Sequence, residues 1–204
     1  EIIADYGNHV GEGPTWNPRD KKLYWIDILT GRIFWLDPAS DQHTLFHQGP
    51  VLGGFTMQAD GSLLLFMEKG AVAVLRDGKL DYVIDELPGE GENRFNDVIA
   101  DPVGRVFCGT MPLDGERAIN GEGLGTLYRL DTDGSVTTVF GGARIPNGMG
   151  FTPDRRQMYY TESMDRAIYL FDYDADSGNI SNKRLFVKTP DGHGLPDGMT
   201  VDAE

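Results

Sequence analysis

The chain has 204 residues, of which 40% are hydrophobic and 25% charged, a composition typical of a soluble globular protein. Its 32 acidic and 18 basic residues give a net charge of −14, which argues against nucleic-acid binding because such a surface repels phosphate backbones. No window approaches the ~18 consecutive apolar residues of a membrane helix, so the sequence predicts no membrane span.

The number of glycines indicates the fold class, and the number of cysteines indicates the cellular compartment. The 27 glycines, together with 10% aromatic residues, favour many short strands and turns over long helices. The single cysteine, Cys108, excludes an internal disulfide and a metal site built from several thiolates. Cys108 lies in a strand-like run, where we expect it to serve as a small core hydrophobe. These features predict a reducing, cytoplasmic location.

One sequence pattern recurs along the chain. It consists of a turn-rich start, an apolar strand, a short charged or glycine-containing turn, and a second strand of aromatic and aliphatic residues. The copies begin at Gly13, Gly53, Phe95, Pro146 and Pro196. Their alignment rests on the anchor residues Pro14, Gly54, Asn96, Asn147 and Asp197. These anchors are 40, 42, 51 and 50 residues apart.

The recurring unit has the size of a β-propeller blade. A second pair of strands follows each opening pair, as in residues 126–131 and 136–140, and four strands per ~40–50 residues is the period of a blade. Four complete copies fit in the chain, and the fifth stops inside a predicted strand. We therefore predict an all-β fold, a single β-propeller domain of residues 1–204 that is C-terminally incomplete.

Polar, oxygen-bearing side chains lie at the start of most copies. They are Glu12, Asn96, Asp97, Asn147 and Asp197. The innermost strands of a propeller surround its central channel, so these side chains are expected to converge there. Carboxylate and amide oxygens suit Ca²⁺, Mg²⁺ or Mn²⁺. Asn-Gly and Asp-Gly are also the commonest turn pairs, and a turn role for Asn147 and Asp197 is the alternative.

An ordered series of motifs resembles the SMP-30/gluconolactonase/luciferin-regenerating-enzyme family. The motifs are GEGPTW from Gly11, LYWIDI from Leu23, RFND from Arg94, PNG from Pro146 and PDGM from Pro196. The resemblance covers essentially the whole chain. It implies a six-bladed β-propeller, of which this chain covers about four blades and the start of a fifth. It also implies hydrolysis of sugar lactones with a divalent cation in the channel.

The resemblance assigns roles to individual residues. It implies three metal ligands, Glu12, Asn147 and Asp197, and it makes Asp197 the catalytic acid and base as well. The expected ion is Ca²⁺, with Zn²⁺, Mn²⁺ and Mg²⁺ as alternatives. Arg94 and Asn96 match the family's substrate contacts.

A further glutamate that contacts the substrate in the family has no clean counterpart in this chain. Glu122 is the better placed of the two glutamates in the corresponding loop, and Glu116 is the alternative. We expect Glu122 to bind substrate.

Three functions remain open at this stage. The first is a metal-dependent sugar lactonase, and the second is a propeller that binds a ligand or a protein without turnover. The third is a lactonase or esterase for non-sugar substrates, or a strictosidine-synthase-like relative. The joint presence of the expected metal ligands, Arg94 and Asn96 favours the enzyme, because a scaffold has no use for that set. The sequence leaves the sugar and the oligomeric state open.

Overall fold

The computed structural model describes residues 2–202 as four antiparallel sheets packed side by side. Within each of these sheets, four strands follow one another in chain order, so the sheets are the blades of a propeller-like arrangement. The predicted domain of residues 1–204 also includes Glu1, Ala203 and Glu204, which lie outside the described residues.

The first two blades contain strands β1 to β8. Blade 1 comprises β1 (Gly11–Asn17), β2 (Lys22–Asp27), β3 (Arg32–Asp37) and β4 (Gln42–Gln48), with a 3-10 helix, Ile28–Thr30, after β2. Blade 2 comprises β5 (Leu52–Met57), β6 (Leu63–Met67), β7 (Val72–Arg76) and β8 (Lys79–Ile84).

The next two blades contain strands β9 to β16. Blade 3 comprises β9 (Asn93–Ala100), β10 (Val106–Pro112), β11 (Gly125–Leu130) and β12 (Val136–Ala143), with the short helix α1 (Gly115–Asn120) after β10. Blade 4 comprises β13 (Pro146–Phe151), β14 (Gln157–Glu162), β15 (Ala167–Tyr173) and β16 (Ile180–Lys188), with a 3-10 helix, Ser163–Asp165, after β14. No helix within residues 2–202 is long and apolar enough to cross a membrane.

Burial on both faces explains why the second strand of blade 2, β6, is a continuous apolar run. Successive side chains of a strand point to opposite faces of the sheet, and a blade packs on both faces. In β6, Leu63 and Leu65 pack in the core between blades 1 and 2. Leu64 and Phe66 pack in the core between blades 2 and 3. A third core joins blades 3 and 4. The outermost strands β4, β8 and β16 are mostly exposed.

Cys108 is a core residue, as predicted. It is buried in the core between blades 2 and 3. Burial raises the pKa of its thiol, which therefore stays protonated and unreactive at neutral pH.

The same backbone hydrogen bond fixes the start of the innermost strand in each of the four described blades. The residue that follows the second strand donates its N–H to the carbonyl of the residue that precedes the innermost strand. These strand-start bonds are Ile28 to Val10 (3.0 Å), Glu68 to Val51 (3.0 Å), Leu113 to Glu92 (3.0 Å) and Ser163 to Ile145 (3.1 Å). Counted from this bond, the second residues of the innermost strands are equivalent; they are Glu12, Gly53, Arg94 and Asn147.

A β-bulge follows the strand-start bond in every described blade. The pairing with the second strand slips by one residue between Glu12 and Thr15, between Leu52 and Gly54, and between Asn147 and Met149. In blade 3 the slip falls between Phe95 and Val98. A bulge bends its strand and re-aims the neighbouring side chains. Each innermost strand is therefore kinked beside the positions where the sequence predicted ligands.

The structure confirms four blades of the predicted propeller. The expected start of a fifth blade, from Pro196 to Asp202, has no regular secondary structure in the described chain. A six-bladed closure stays a prediction.

Asp27, the last residue of β2, stabilises the start of β1. Its carboxylate is fully buried and accepts hydrogen bonds from the Val10 N–H (2.8 Å), the Thr30 hydroxyl (2.6 Å) and the Arg32 guanidinium (2.6 Å). Burial by itself raises the pKa of Asp27, but these hydrogen bonds outweigh it and hold the pKa at about 2. The ionised form of Asp27 is therefore favoured by folding.

We expect this carboxylate to make stability depend on pH in the acid range. Because the pKa of Asp27 lies below its ordinary value of 3.8, its contribution is complete above about pH 4 and disappears as the pH falls to about 2. That contribution is about 2 kcal/mol. Urea unfolding of wild type and Asp27→Asn should differ by about this amount at pH 7 and converge near pH 2. A pH-independent difference would contradict the explanation, and Asp81→Asn, at an exposed position of β8, is the control.

Candidate functional site

The innermost strands of the four described blades converge around a cavity of about 1100 Å³. The charged and amide side chains that line it are Glu12, Arg94, Asn96, Asp97, Asn147 and Asp197. Apolar residues such as Phe55, Val98 and Met149 complete its wall. The structure therefore brings together the three predicted metal ligands and two of the three predicted substrate contacts.

Glu122 is the predicted site residue that the structure does not place in this cavity. It lies on the exposed loop after α1, where its N–H donates to the Arg117 carbonyl (2.8 Å). Gly121 ends α1 in a left-handed conformation just before it. Glu116, the alternative, is exposed in the first turn of α1. In the described structure neither glutamate lines the cavity, so a substrate contact by Glu122 gains no support.

Arg94 is a buried cation at the cavity wall, rather than a surface ion-pair partner. Its Nη1 donates to the Phe95 carbonyl (2.9 Å) and to Asn96 Oδ1 (2.8 Å), while its buried Nε finds no partner within residues 2–202. Burial lowers the pKa of Arg94 to about 10, although the Glu12 carboxylate opposes this shift. Arg94 thus remains charged at neutral pH and keeps a donor that is not used by the protein.

Asn96 links two blades. Its Nδ2 donates to the Pro146 carbonyl at the start of β13 (2.8 Å), while its Oδ1 accepts from Arg94. The amide orientation is therefore fixed from both sides, and Asn96 holds the Arg94 guanidinium against the cavity wall.

Three carboxylates meet in the cavity and repel one another. Burial raises the pKa of Glu12, and the nearby Asp197 carboxylate raises it further. Burial also raises the pKa of Asp97, to about 6, with smaller contributions from Glu12 and Asp197. Sequence reasoning noted Asp97 in the RFND motif but assigned it no role. The bulge in β9 places both Asn96 and Asp97 on the cavity wall.

Asn147 is held by a residue that sequence reasoning missed. Asn147 is buried, and its Nδ2 lies 3.0 Å from Ser163 Oγ. The same Ser163 hydroxyl donates to the Pro196 carbonyl (2.7 Å), next to Asp197. The signal available in the sequence was the position of Ser163 immediately after the second strand, which aligns with Ile28 of blade 1.

The donor set of the cavity fits a hard divalent cation. Glu12 and Asp197 supply carboxylate oxygens whose mutual repulsion a cation would relieve, and Asn147 supplies an amide oxygen. In the described part of the chain, no three His, Cys, Asp or Glu side chains lie close enough to hold a metal ion by themselves. A cation here would therefore need the Asn147 oxygen and water in addition to the carboxylates.

The chain is similar to known proteins over nearly its whole length. Residues 10–204 match the family model described as the SMP-30/Gluconolactonase/LRE-like region. The pentonolactonase XacC of Haloferax volcanii is 48% identical over 201 residues, which are 98% of this chain and 66% of that relative. The chain thus spans about two thirds of the length of this relative.

Two solved structures share the fold. A luciferin-regenerating enzyme superposes with a TM-score of 0.87 at 29% identity, covering 96% of this chain and 66% of that structure. A calcium-binding regucalcin from Agrobacterium tumefaciens also superposes with a TM-score of 0.87, at 26% identity, covering 100% of this chain and 68% of that structure. The four-blade arrangement is therefore common to all three proteins.

Gly148 permits the segment that carries Asp197 to approach β13, which leads to a testable prediction. A Cβ at position 148 would lie 2.7 Å from both the Asp197 carbonyl oxygen and the Met199 nitrogen. Gly148→Ala should therefore displace this segment and shift the Met199 methyl resonance in a protein labelled with ¹³C-methyl methionine. Gly115→Ala, whose Cβ meets nothing within 4 Å, is the control. An unchanged Met199 resonance in Gly148→Ala would show that the segment is not held in this way.

Proposed function

The chain belongs to the SMP-30/gluconolactonase/LRE-like family, and on this premise we propose that it hydrolyses a sugar lactone to the aldonic acid with the help of a divalent cation. The observation that carries the proposal is the convergence in one cavity of three oxygen ligands remote in sequence, Glu12, Asn147 and Asp197. A buried arginine in the same cavity offers donors to a polyhydroxy substrate.

For the substrate we propose a lactone of a five-carbon sugar acid. The support is the 48% identity to a pentonolactonase, well above that to the regucalcins at about 30%.

For the cation we propose Ca²⁺, held by Glu12, Asn147 and Asp197. An oxygen-only donor set with two carboxylates is typical of calcium sites, and a structural neighbour is described as a calcium-binding protein. Zn²⁺, Mn²⁺ and Mg²⁺ are the alternatives to be compared. When bound, the cation would polarise the lactone carbonyl and stabilise the negative charge that develops on its oxygen.

The side chains of the cavity supply the remaining chemistry. Asp197 would accept a proton from the attacking water and return it to the ring oxygen as the ester bond breaks. Arg94 and Asn96 would donate hydrogen bonds to the sugar hydroxyls and orient the ring. Asp97 is a second candidate for the proton transfer, because its carboxylate lines the same cavity as Asp197.

The other functions considered predict different behaviour. A binding module would hold the lactone without converting it, and an esterase for non-sugar substrates would prefer simple aryl esters.

We also propose a cytoplasmic location for the enzyme, in keeping with its one cysteine, which is buried and unpaired.

The proposed activity predicts that turnover depends on the cation and on Asp197. Hydrolysis of a pentono-γ-lactone should stop in EDTA and return on addition of Ca²⁺. Asp197→Ala should abolish turnover with Ca²⁺ in excess, because it removes both an expected ligand and the expected proton acceptor. The control is Asp191→Ala, an exposed aspartate outside the cavity.

Other results would point elsewhere. Full activity of Asp197→Ala combined with loss in Asp97→Asn would move the proton transfer to Asp97. Substrate binding without hydrolysis in the wild type would favour a binding protein instead of an enzyme.

Arg94 should contribute mainly to substrate binding. Arg94→Lys keeps the charge but removes the planar set of donors, so we expect KM to rise about tenfold, equivalent to roughly one or two hydrogen bonds. The fall in kcat should be much smaller. Arg76→Lys, in an exposed ion pair with Asp60, is the control. Steady-state kinetics distinguish the two parameters, and a fall in kcat at constant KM would oppose a binding role.

A further inference from the structure

We propose that Ser163 is a positioning residue, which orients the amide of Asn147 and holds the Asp197 segment beside it. The inference rests on the proposed function, in which Asn147 and Asp197 are ligands of the cation. Ser163 itself does not line the cavity. It would act through the two hydrogen bonds of its side-chain hydroxyl.

The single proton of the Ser163 hydroxyl determines how the side-chain amide of Asn147 is oriented. A serine hydroxyl has one proton, and the Pro196 carbonyl, 2.7 Å from Ser163 Oγ, can only accept it. The atom of Asn147 that lies 3.0 Å from Oγ must therefore be the donor, Nδ2. Consequently Oδ1, the only atom of the amide that can bind a cation, points away from Ser163.

The opposite amide orientation would impair the site. It would turn the N–H groups of Asn147 toward the cation, where a donor cannot serve as a ligand. Ser163 thus selects between two amide orientations of Asn147. They occupy nearly the same volume, but one turns an acceptor toward the cation and the other turns a donor toward it. Its bond to the Pro196 carbonyl fixes the neighbouring ligand, Asp197, in the same step.

Ser163 is itself rigidly placed. Its side chain is buried, and its N–H forms the strand-start bond of blade 4 with the Ile145 carbonyl. The preceding residue, Glu162, accepts hydrogen bonds from the backbone N–H groups of Arg144 (3.2 Å) and Ile145 (2.8 Å). Glu162 and Ser163 therefore hold both the backbone before Asn147 and the Asn147 side chain.

The equivalent positions of the other blades support a specific role for the hydroxyl. The residue at the Ser163 position is Ile28 in blade 1, where the innermost strand presents Glu12. A carboxylate can bind a cation through either oxygen and needs no partner to orient it. Among the described blades, a hydroxyl at this position coincides with the one amide at the equivalent ligand position.

Calcium binding to the full-length protein tests the inference directly. Titration calorimetry should show that Ser163→Ala binds Ca²⁺ about 10- to 100-fold more weakly than wild type, the usual effect of losing a partner of a metal ligand. The matched control is Thr161→Val, two residues away, because the buried Thr161 hydroxyl has no hydrogen-bond partner within residues 2–202. Thr161→Val should bind Ca²⁺ as wild type does.

A double-mutant cycle separates orientation from packing. In an Asn147→Asp background, either side-chain oxygen can bind the cation, and the Ser163 oxygen faces an acceptor. Ser163→Ala should therefore leave Ca²⁺ affinity unchanged or raise it in that background, although it lowers affinity beside Asn147. Equal losses in both backgrounds would overturn the proposed role of Ser163.

A measurement without calcium distinguishes failure of this inference from failure of the proposed function. In ¹⁵N spectra of the calcium-free protein, the Asn147 side-chain amide should exchange slowly with water in wild type and Thr161→Val, and rapidly in Ser163→Ala. Unchanged exchange in Ser163→Ala overturns the inference. If wild type shows the protected amide but binds no Ca²⁺, the metal site of the proposed function fails while the positioning by Ser163 stands.

Discussion

The strand-start hydrogen bond is the constraint on which the geometry of the cavity depends. In every described blade, one backbone N–H after the second strand fixes the carbonyl before the innermost strand, about 3 Å away. Two residues after that carbonyl comes the second residue of the innermost strand, here called the ligand position, and a β-bulge follows it. Because the bond uses only backbone atoms, it can recur in blades of different sequence. Side chains as different as Glu12, Arg94 and Asn147 are thereby brought to the wall of one cavity.

The electrostatics of the cavity are unfavourable in the absence of a ligand. Burial raises the pKa of Glu12 and Asp97, and repulsion from neighbouring carboxylates, Asp197 for both groups and Glu12 for Asp97, raises it further. Arg94 offsets this in part by its attraction to Glu12. Elsewhere the fold satisfies its buried charges, as with Asp27 and Arg32. The contrast is typical of functional sites, where the residues serve a bound ligand rather than the free energy of folding.

The strands and turns could be predicted because alternation and turn residues are local signals. The convergence of Glu12, Asn147 and Asp197 could be predicted because they lie at the starts of copies of the repeat. The residue-by-residue equivalence of the blades could not be predicted from the sequence. The sequence repeat aligned Asn96 with Asn147, whereas the strand-start bonds make Arg94 the equivalent of Asn147. A bulge adds a residue that sequence spacing does not reveal. Glu122 lies outside the cavity, on the loop after α1, and no signal in the sequence indicated that short helix. Ser163 was missed because its role lies in contacts with residues distant in sequence.

Blade 2 alone, among those described, contributes no side chain at the ligand position. A Cβ on Gly53 would lie 1.9 Å from the Phe95 carbonyl, where β5 and β9 approach backbone to backbone. Position 53 is consequently closed to mutation, because any other residue there would force two blades apart. Divergence of substrate preference among descendants of such a protein must therefore proceed through other residues of the cavity wall, and a directed-evolution library would waste its diversity at position 53.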